Sequence, residues 1–242
     1  MMRHKTKLLK IAAGSAAVLT CYAALLCLPG PFFAHRVRAA GLALHSDQPL
    51  PEDAAKHVLT LAVAKLAMSP LYKNGQEFHV FICNARWRQM LFFNKNYGVG
   101  GVAYYPFGNN VFLRDALVAE NRLISPRGTP VPGDRTLDYF IAHEIIHQVT
   151  GQAIGVIRFY QLPQWVREGY ADYVGKGNSF HFDAARHALR AGQPELDFRR
   201  SGQYLRFHLF VAYLLDNQGW SLEQLLWNPP PMETVERAVR AD

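Results

Sequence analysis

Apolar residues recur with two different periods along this chain, and the change of period predicts its secondary structure. Residues 51–67 have apolar side chains every three or four positions, which predicts a helix. Residues 77–83 and 100–114 are rich in β-branched and aromatic side chains, which predicts one strand and then two strands around a turn at 107–110. Further helices are predicted for 85–93, 135–150, 163–174, 182–191, 203–217 and 232–241. Strands that precede helices in this way indicate an α+β domain.

The N-terminal part of the chain has a different pattern. A basic segment, 1–10, precedes residues 11–28, which carry no charge and would form a helix about 27 Å long, close to the thickness of a hydrocarbon core. This predicts an uncleaved signal anchor, with the N-terminus in the cytoplasm and the domain on the other side of the membrane. A cleaved signal peptide, which would make the protein secreted, and a buried core helix are the alternatives. Residues 29–50 are predicted to be a linker, so the domain would occupy 51–242.

The formal net charge of +7 comes almost entirely from the N-terminal part. Residues 1–40 contain six basic residues and no acid, whereas the other 202 residues contain 20 basic and 19 acidic residues. This near balance gives no indication of nucleic-acid binding. Two of the three cysteines, Cys21 and Cys27, lie in the apolar segment, so only Cys83 remains and no disulfide can form within the domain.

The stretch DYFIAHEIIHQVTG, 138–151, has the pattern of a metal-binding helix. His143 and His147 are four positions apart, so on a helix their imidazoles lie on one face and can bind the same ion. Glu144 points to the side of this pair, where it can reach a water bound to the metal. The pattern needs a third ligand before it predicts a complete site.

The third ligand is predicted to be a carboxylate on the following helix. Ala153 stands where the longer H-E-x-x-H-x-x-G-x-x-H pattern would have a histidine. The stretch PQWVREGYADYV instead supplies Glu168, 21 positions after His147. Asp172 follows one turn later on the same face, where it can accept the second N–H of His143.

Together, HEIIHQVTG and WVREGYADY resemble the gluzincin zinc metallopeptidases, above all their aminopeptidase-like branch, over residues 140–175. The resemblance implies a zincin-like core behind the transmembrane helix: a small mixed sheet with an edge strand over the cleft, the zinc helix, and a helical C-terminal half. It also implies one Zn²⁺ per chain and the following roles: His143, His147 and Glu168 as zinc ligands, Glu144 as general base, and Asp172 as the partner of a ligand.

A weaker similarity extends beyond these two stretches. A later helix of that branch has a tyrosine, followed about nine residues on by Tyr-Leu, whose phenol stabilises the oxyanion. Tyr204 matches this tyrosine, with Tyr213 and Leu214 behind it, and His208 one turn further on is the alternative.

Upstream, Val102, Ala103 and Tyr104 lie where the family has its edge strand, which would pair with an extended substrate. True aminopeptidases have a Gly-x-Met-Glu-Asn box there, whose glutamate holds the free amine of the substrate. This chain has Gly-Val-Ala-Tyr-Tyr at 101–105, without an acid, and it also lacks the large flanking domains. Endopeptidase and exopeptidase action therefore both stay open.

The expected function is that of a membrane-anchored zinc peptidase, in which a metal-activated water hydrolyses the peptide bonds of a peptide or protein substrate. One alternative is a non-catalytic zinc-binding or regulatory module on the same scaffold. A second is a structural protein without a metal. The intact Glu144 favours the first reading, because a site that no longer cleaves has no chemical need for a base. The oligomeric state does not follow from the sequence.

Overall fold

The computed structural model describes residues 2–73 and 75–242, with side chains from residue 13 onward. The chain is mixed α+β. The strands of the described residues are β1 His35–Ala39, β2 Leu42–Ser46, β3 Phe78–Ile82, β4 Gly101–Ala103, β5 Asn110–Leu113, β6 Ala116–Leu117 and β7 Arg122–Leu123. The helices are α1 Met2–Cys27, α2 Glu52–Leu66, α3 Arg86–Phe93, α4 Leu137–Ile154, α5 Val156–Gln161, α6 Gln164–Lys176, α7 Phe182–Arg190, α8 Phe198–Ser201, α9 Leu205–Ala212, α10 Leu222–Trp227 and α11 Met232–Ala241.

The main sheet has five strands in the order β1-β2-β3-β5-β4. Strands β2, β3 and β5 are parallel to one another, and β1 and β4 are antiparallel to their neighbours at the two edges. The three parallel strands are almost entirely buried, as expected for continuous apolar runs covered on both faces. Within the described part of the chain, the short strand β4 pairs only with β5, so its outer edge faces away from the sheet.

Helix α4 lies at the centre of the molecule and is buried along most of its length. It packs against α2 and the strands β4 and β5, and also against α6. Ile141, Ile145 and Val149 are buried on it, and each stabilises the fold by roughly 1.5–3 kcal/mol. A helix that is apolar on nearly all sides has to be enclosed, and this enclosure fixes the direction of its few polar side chains.

Helix α6 lies between α4 and α9, and a glycine permits the close approach of α6 to α9. A Cβ on Gly169 would lie 2.6 Å from the carbonyl oxygen of Phe207, so a larger residue would separate the two backbones. Trp165 and Phe210 pack edge to face across the same interface. This packing sets the position of the neighbouring residue, Glu168, relative to α4.

Residues 29–50 are not the predicted linker. They contain β1 and β2, which form two of the five strands of the sheet. The two strands are joined by a tight turn at Ala40 and Gly41, both with positive φ, 51° and 82°, as a two-residue hairpin requires. The exposed face of β1 carries Arg36 and Arg38, which lie 3.5 Å and 2.9 Å from the Glu77 carboxylate.

The predicted transmembrane helix at 11–28 is wrong, and with it the single-pass topology. Among the helices in the described part of the chain, none is long and apolar enough to cross a membrane. The C-terminal end of α1 packs on the domain instead. Leu26 is buried, the Tyr22 hydroxyl donates to the Leu91 carbonyl at 3.0 Å, and Asn110 Nδ2 donates to the Leu26 carbonyl at 2.8 Å.

Two smaller differences concern element boundaries. The helix predicted to stop at Gly151 continues to Ile154 and ends at Gly155, whose φ is 80°. The predicted loop 115–133 includes the small hairpin of β6 and β7.

Candidate metal centre

Helices α4 and α6 bring three potential metal ligands together. The Nε2 atoms of His143 and His147 are 3.3 Å apart, as their i, i+4 spacing on α4 requires. Glu168 Oε2, from α6, lies 3.5 Å from the first of these nitrogens and 3.4 Å from the second. We call these three residues the metal triad. In the residues that the structure describes, they are the one group of three histidine, cysteine or acidic side chains close enough to hold a metal ion.

The distances within the metal triad match a tetrahedral metal site. Ligand atoms about 2.0–2.1 Å from a tetrahedral metal are separated from one another by about 3.3–3.4 Å. The observed separations of 3.3, 3.4 and 3.5 Å fall close to this value. The triad can therefore bind a metal ion, and its ligands are the three that the sequence predicts.

The charge of Glu168 suits this role. Burial by itself would raise the pKa of its carboxyl, but the charges and hydrogen bonds of His147 and His143 hold the pKa well below its usual value. The side chain is therefore a carboxylate at neutral pH, which is the form that binds a metal.

Glu144 lies between the metal triad and the edge strand β4. Its side chain is held against Gly101, where a Cβ would come within 2.7 Å of Glu144 Cγ and 2.8 Å of Oε1. Burial raises its pKa to about 7; Glu168 also raises it, while His143 and the backbone N–H of Ala103 lower it. A carboxyl with this pKa can exchange a proton near neutral pH, which is what a general base requires.

The metal triad opens into a cleft of about 860 Å³, a size typical of ligand sites. The cleft is lined by the predicted strand residues Val102, Ala103 and Tyr104, and also by Glu144 and Tyr204. The Tyr104 hydroxyl is engaged, because it donates to the Phe92 carbonyl at 2.7 Å. The structure thus places the predicted edge strand beside the predicted metal ligands.

Tyr204 lies next to the metal triad. Its ring is stacked on that of His143, with centroids 5.9 Å apart and planes 9° from parallel. Burial, reinforced by the carboxylates of Glu168 and Glu144, raises its pKa above that of a free phenol. Tyr204 therefore keeps its proton and can donate a hydrogen bond into the cleft.

Asp172 does not serve His143 as predicted, because both of its oxygens are engaged elsewhere. Oδ1 accepts a hydrogen bond from the Tyr139 hydroxyl at 2.5 Å, and Oδ2 lies 3.0 Å from His208 Nδ1. His143 Nδ1 is buried without a partner among the described residues. Asp172 instead links α6 to α4 through Tyr139 and to α9 through His208.

The alternative oxyanion residue, His208, is also excluded by its surroundings. Its side chain is 1% exposed, bound to Asp172, and stacked on Phe180 with ring centroids 3.6 Å apart. Burial lowers its pKa despite the raising effect of Asp172, so the ring is neutral at pH 7. His208 does not line the cleft, whereas Tyr204 does.

Sequence reasoning missed several residues of the cleft, among them Gly101, Arg135 and Tyr139. Tyr139 is one helical turn before His143, so the same periodicity that paired the histidines could have identified it. Gly101 and Arg135 carry no such signal, because their roles depend on contacts with residues distant in the sequence.

Comparisons with known proteins do not assign the chain to a family. No protein family model matches it, and no curated protein or solved structure shows significant similarity to it. The metal triad and its cleft are therefore the basis for any functional conclusion.

Proposed function

We propose that this protein is a zinc-dependent peptidase of the gluzincin type. The proposal rests on the metal triad, whose ligand atoms have tetrahedral spacing and which opens into the cleft. Glu144 lies on α4, beside the two histidines of the triad. Two histidines and one glutamate leave a fourth position of a tetrahedral ion free, which is the arrangement of catalytic rather than structural zinc. A bound Zn²⁺ would lower the pKa of a coordinated water towards about 7 and polarise the scissile carbonyl.

Each remaining task of peptide hydrolysis has a candidate residue. Glu144 accepts the proton of the attacking water and returns it to the leaving amine. The Tyr204 hydroxyl donates a hydrogen bond to the developing oxyanion, a contribution worth about 3–4 kcal/mol in other enzymes. The backbone of Val102, Ala103 and Tyr104 pairs with an extended peptide, because the outer edge of β4 has no neighbouring strand among the residues that the structure describes.

The openness of the cleft favours this proposal over a non-catalytic zinc-binding module. Such a module would be favoured if the segment 115–133 covered the metal triad. Leu123, Ser125 and Val131 of this segment line the cleft, but they leave its volume of about 860 Å³ open to the metal triad. This arrangement supports access of a substrate to the metal.

The first experiment is elemental analysis of the purified full chain, with His147→Ala as the matched control. We expect one zinc per chain in the parent protein and a loss of zinc in His147→Ala. Absence of zinc from both proteins, after zinc has been supplied to folded samples, would overturn the proposal.

The second experiment is hydrolysis of a peptide library by the parent protein and by Glu144→Gln. We expect Glu144→Gln to keep its zinc, because residue 144 is not a ligand, and to lose activity by about 10²–10⁴-fold. Zinc binding without cleavage by the parent protein would instead identify the non-catalytic module.

A further inference from the structure

The charged residues that line the cleft are predominantly basic. Among the described residues, its acids are Glu144 and Glu168, and both already have roles at the metal centre. Its basic residues are Lys95, Arg114, Arg135 and Arg167. A bound divalent cation would add further positive charge. The cleft therefore has no acid left to receive a free amine of a substrate, and it has positive charge to receive an anion.

Two of the four basic residues are engaged within the protein. Arg114 is buried; its Nη2 donates to Gln89 Oε1 at 2.9 Å, and its Nη1 donates to the Tyr97 carbonyl. Arg167 Nε lies 3.6 Å from Glu168 Oε1, so its charge acts on a ligand of the metal triad. Lys95 is exposed, so solvent and salt screen its charge. Arg135 is the remaining basic side chain.

Arg135 is held in place but its charge is not compensated. Its Nη1 donates to the Gly202 carbonyl at 3.1 Å, and its guanidinium carbon lies 5.9 Å from the centroid of the Phe140 ring. Within the described part of the chain, no carboxylate oxygen lies within 4.0 Å of its guanidinium nitrogens. The adjacent carboxylate, Asp134, is bound to Lys176 instead.

The two contacts of Arg135 place it beside the proposed catalytic groups. Phe140 is one turn before Glu144 on α4, and Gly202 is two residues before Tyr204. Arg135 thus bridges the two segments that carry the base and the phenol. A guanidinium held in this way pairs with a carboxylate through two parallel hydrogen bonds at a low cost in conformational entropy.

We infer that Arg135 binds a carboxylate of the substrate, so that the enzyme selects peptides with a negative charge close to the scissile bond. This inference rests on the proposed peptidase function and specifies its substrate class. The carboxylate is either the C-terminal carboxylate of a peptide or the side chain of an aspartate or glutamate. Both place the same group against the same guanidinium.

The test uses the full zinc-loaded chain and three pools of quenched fluorescent peptides that share one randomised core. The first pool has a free C-terminal carboxylate, and the second has a C-terminal amide. The third also has a C-terminal amide and carries one glutamate, whose position is moved along the core from one sub-pool to the next. A matched pool with glutamine in place of that glutamate is the control for the side chain. The first two pools report on the C-terminal carboxylate and the last two on a side-chain carboxylate.

We expect the parent protein to prefer one of the carboxylate pools by about 10- to 100-fold in kcat/KM, mostly through KM. Arg135→Gln should reduce this preference to near parity, and Arg135→Lys should retain part of it because the charge remains. The control variant Arg127→Gln removes an exposed arginine that does not line the cleft, so its preference should equal that of the parent. A preference that is absent in the parent, or that persists in Arg135→Gln, would overturn the inference.

A binding measurement separates this inference from the proposed function. Labelled acid and amide peptides are titrated into zinc-loaded Glu144→Gln, with and without Arg135→Gln, and fluorescence anisotropy is recorded. Tighter binding of the acid peptides that depends on Arg135 supports the inference, even where the parent protein cleaves no peptide. Equal binding of acid and amide peptides refutes it, whatever the outcome of the activity assays.

Discussion

A methyl group added at Gly101 would test whether the position of Glu144 controls catalysis. A Cβ there would lie 2.7 Å from Glu144 Cγ and 2.7 Å from Leu113 Cδ2, whereas ordinary contact begins at 3.4 Å. Gly101 does not have a positive φ, so its backbone accepts alanine without strain. Both side chains are buried, but Glu144 lines the cleft and Leu113 does not, so Glu144 is the side chain with room to yield. Its Cγ must move by about 0.7 Å, the difference between 3.4 Å and 2.7 Å, and the carboxylate moves with it.

The expected effect of Gly101→Ala follows from this displacement. A shift of about 1 Å in a catalytic group costs about 10²-fold in rate, so we expect kcat/KM to fall by that order. Overpacking of the site should lower the free energy of unfolding by about 1–3 kcal/mol. Zinc content should stay at one per chain, because the three atoms nearest to the new methyl group belong to Glu144 and Leu113 and not to the metal triad.

The assay measures kcat/KM on the peptide library, zinc by elemental analysis, and unfolding by denaturant titration. Gly98→Ala is the matched control, because it adds the same methyl group on the same segment where nothing lies within 4 Å. Activity of Gly101→Ala within about threefold of the parent would show that the position of Glu144 is not critical. Loss of zinc together with activity would show that the substitution disturbs the metal triad instead.

Three further predictions concern the surrounding network and the sheet. Tyr204→Phe should lower kcat by about 10²–10³-fold with little change in KM, because the phenol acts on the oxyanion only in the transition state. Asp172→Asn should lower the free energy of unfolding by about 1.5–3 kcal/mol in denaturant titration, because it removes the charged acceptor that the neutral His208 ring and the Tyr139 hydroxyl bind in the core. Burial, together with His79, lowers the pKa of His45 to about 4. The unfolded chain therefore binds an extra proton below about pH 6.5, and stability should fall between about pH 6.5 and pH 4 by up to about 1.4 kcal/mol per pH unit. His45→Gln should flatten this dependence.

Each of these predictions has an outcome that would contradict it. Equal kcat in Tyr204→Phe and the parent protein would remove the phenol from the mechanism. A midpoint of unfolding in Asp172→Asn equal to that of the parent would mean that the buried pair adds no stability. An unchanged slope of stability against pH in His45→Gln would assign the acid sensitivity to another group.

The sequence by itself determined the local features of the site. The i, i+4 spacing of His143 and His147 sets the separation of their side chains as soon as the segment is helical, because helix geometry has a fixed pitch. Periodicity also located α2, β3 and α6, whose apolar patterns are long enough to be distinctive. Glu168 was identified from its place on the next predicted helix, 21 positions after His147, which leaves room for the chain to turn back towards the histidines.

Only the tertiary structure decided which of these side chains meet. Asp172 could have bound His143, but the approach of α9 to α6, permitted by Gly169, brings His208 to one of its oxygens. The other oxygen is bound by Tyr139 of α4. Likewise, β1 and β2 read as a linker because their strands are short, and their pairing partners lie elsewhere in the chain. Such contacts depend on how closely packed elements fit together across the core, and a one-dimensional pattern of apolar residues does not contain that information.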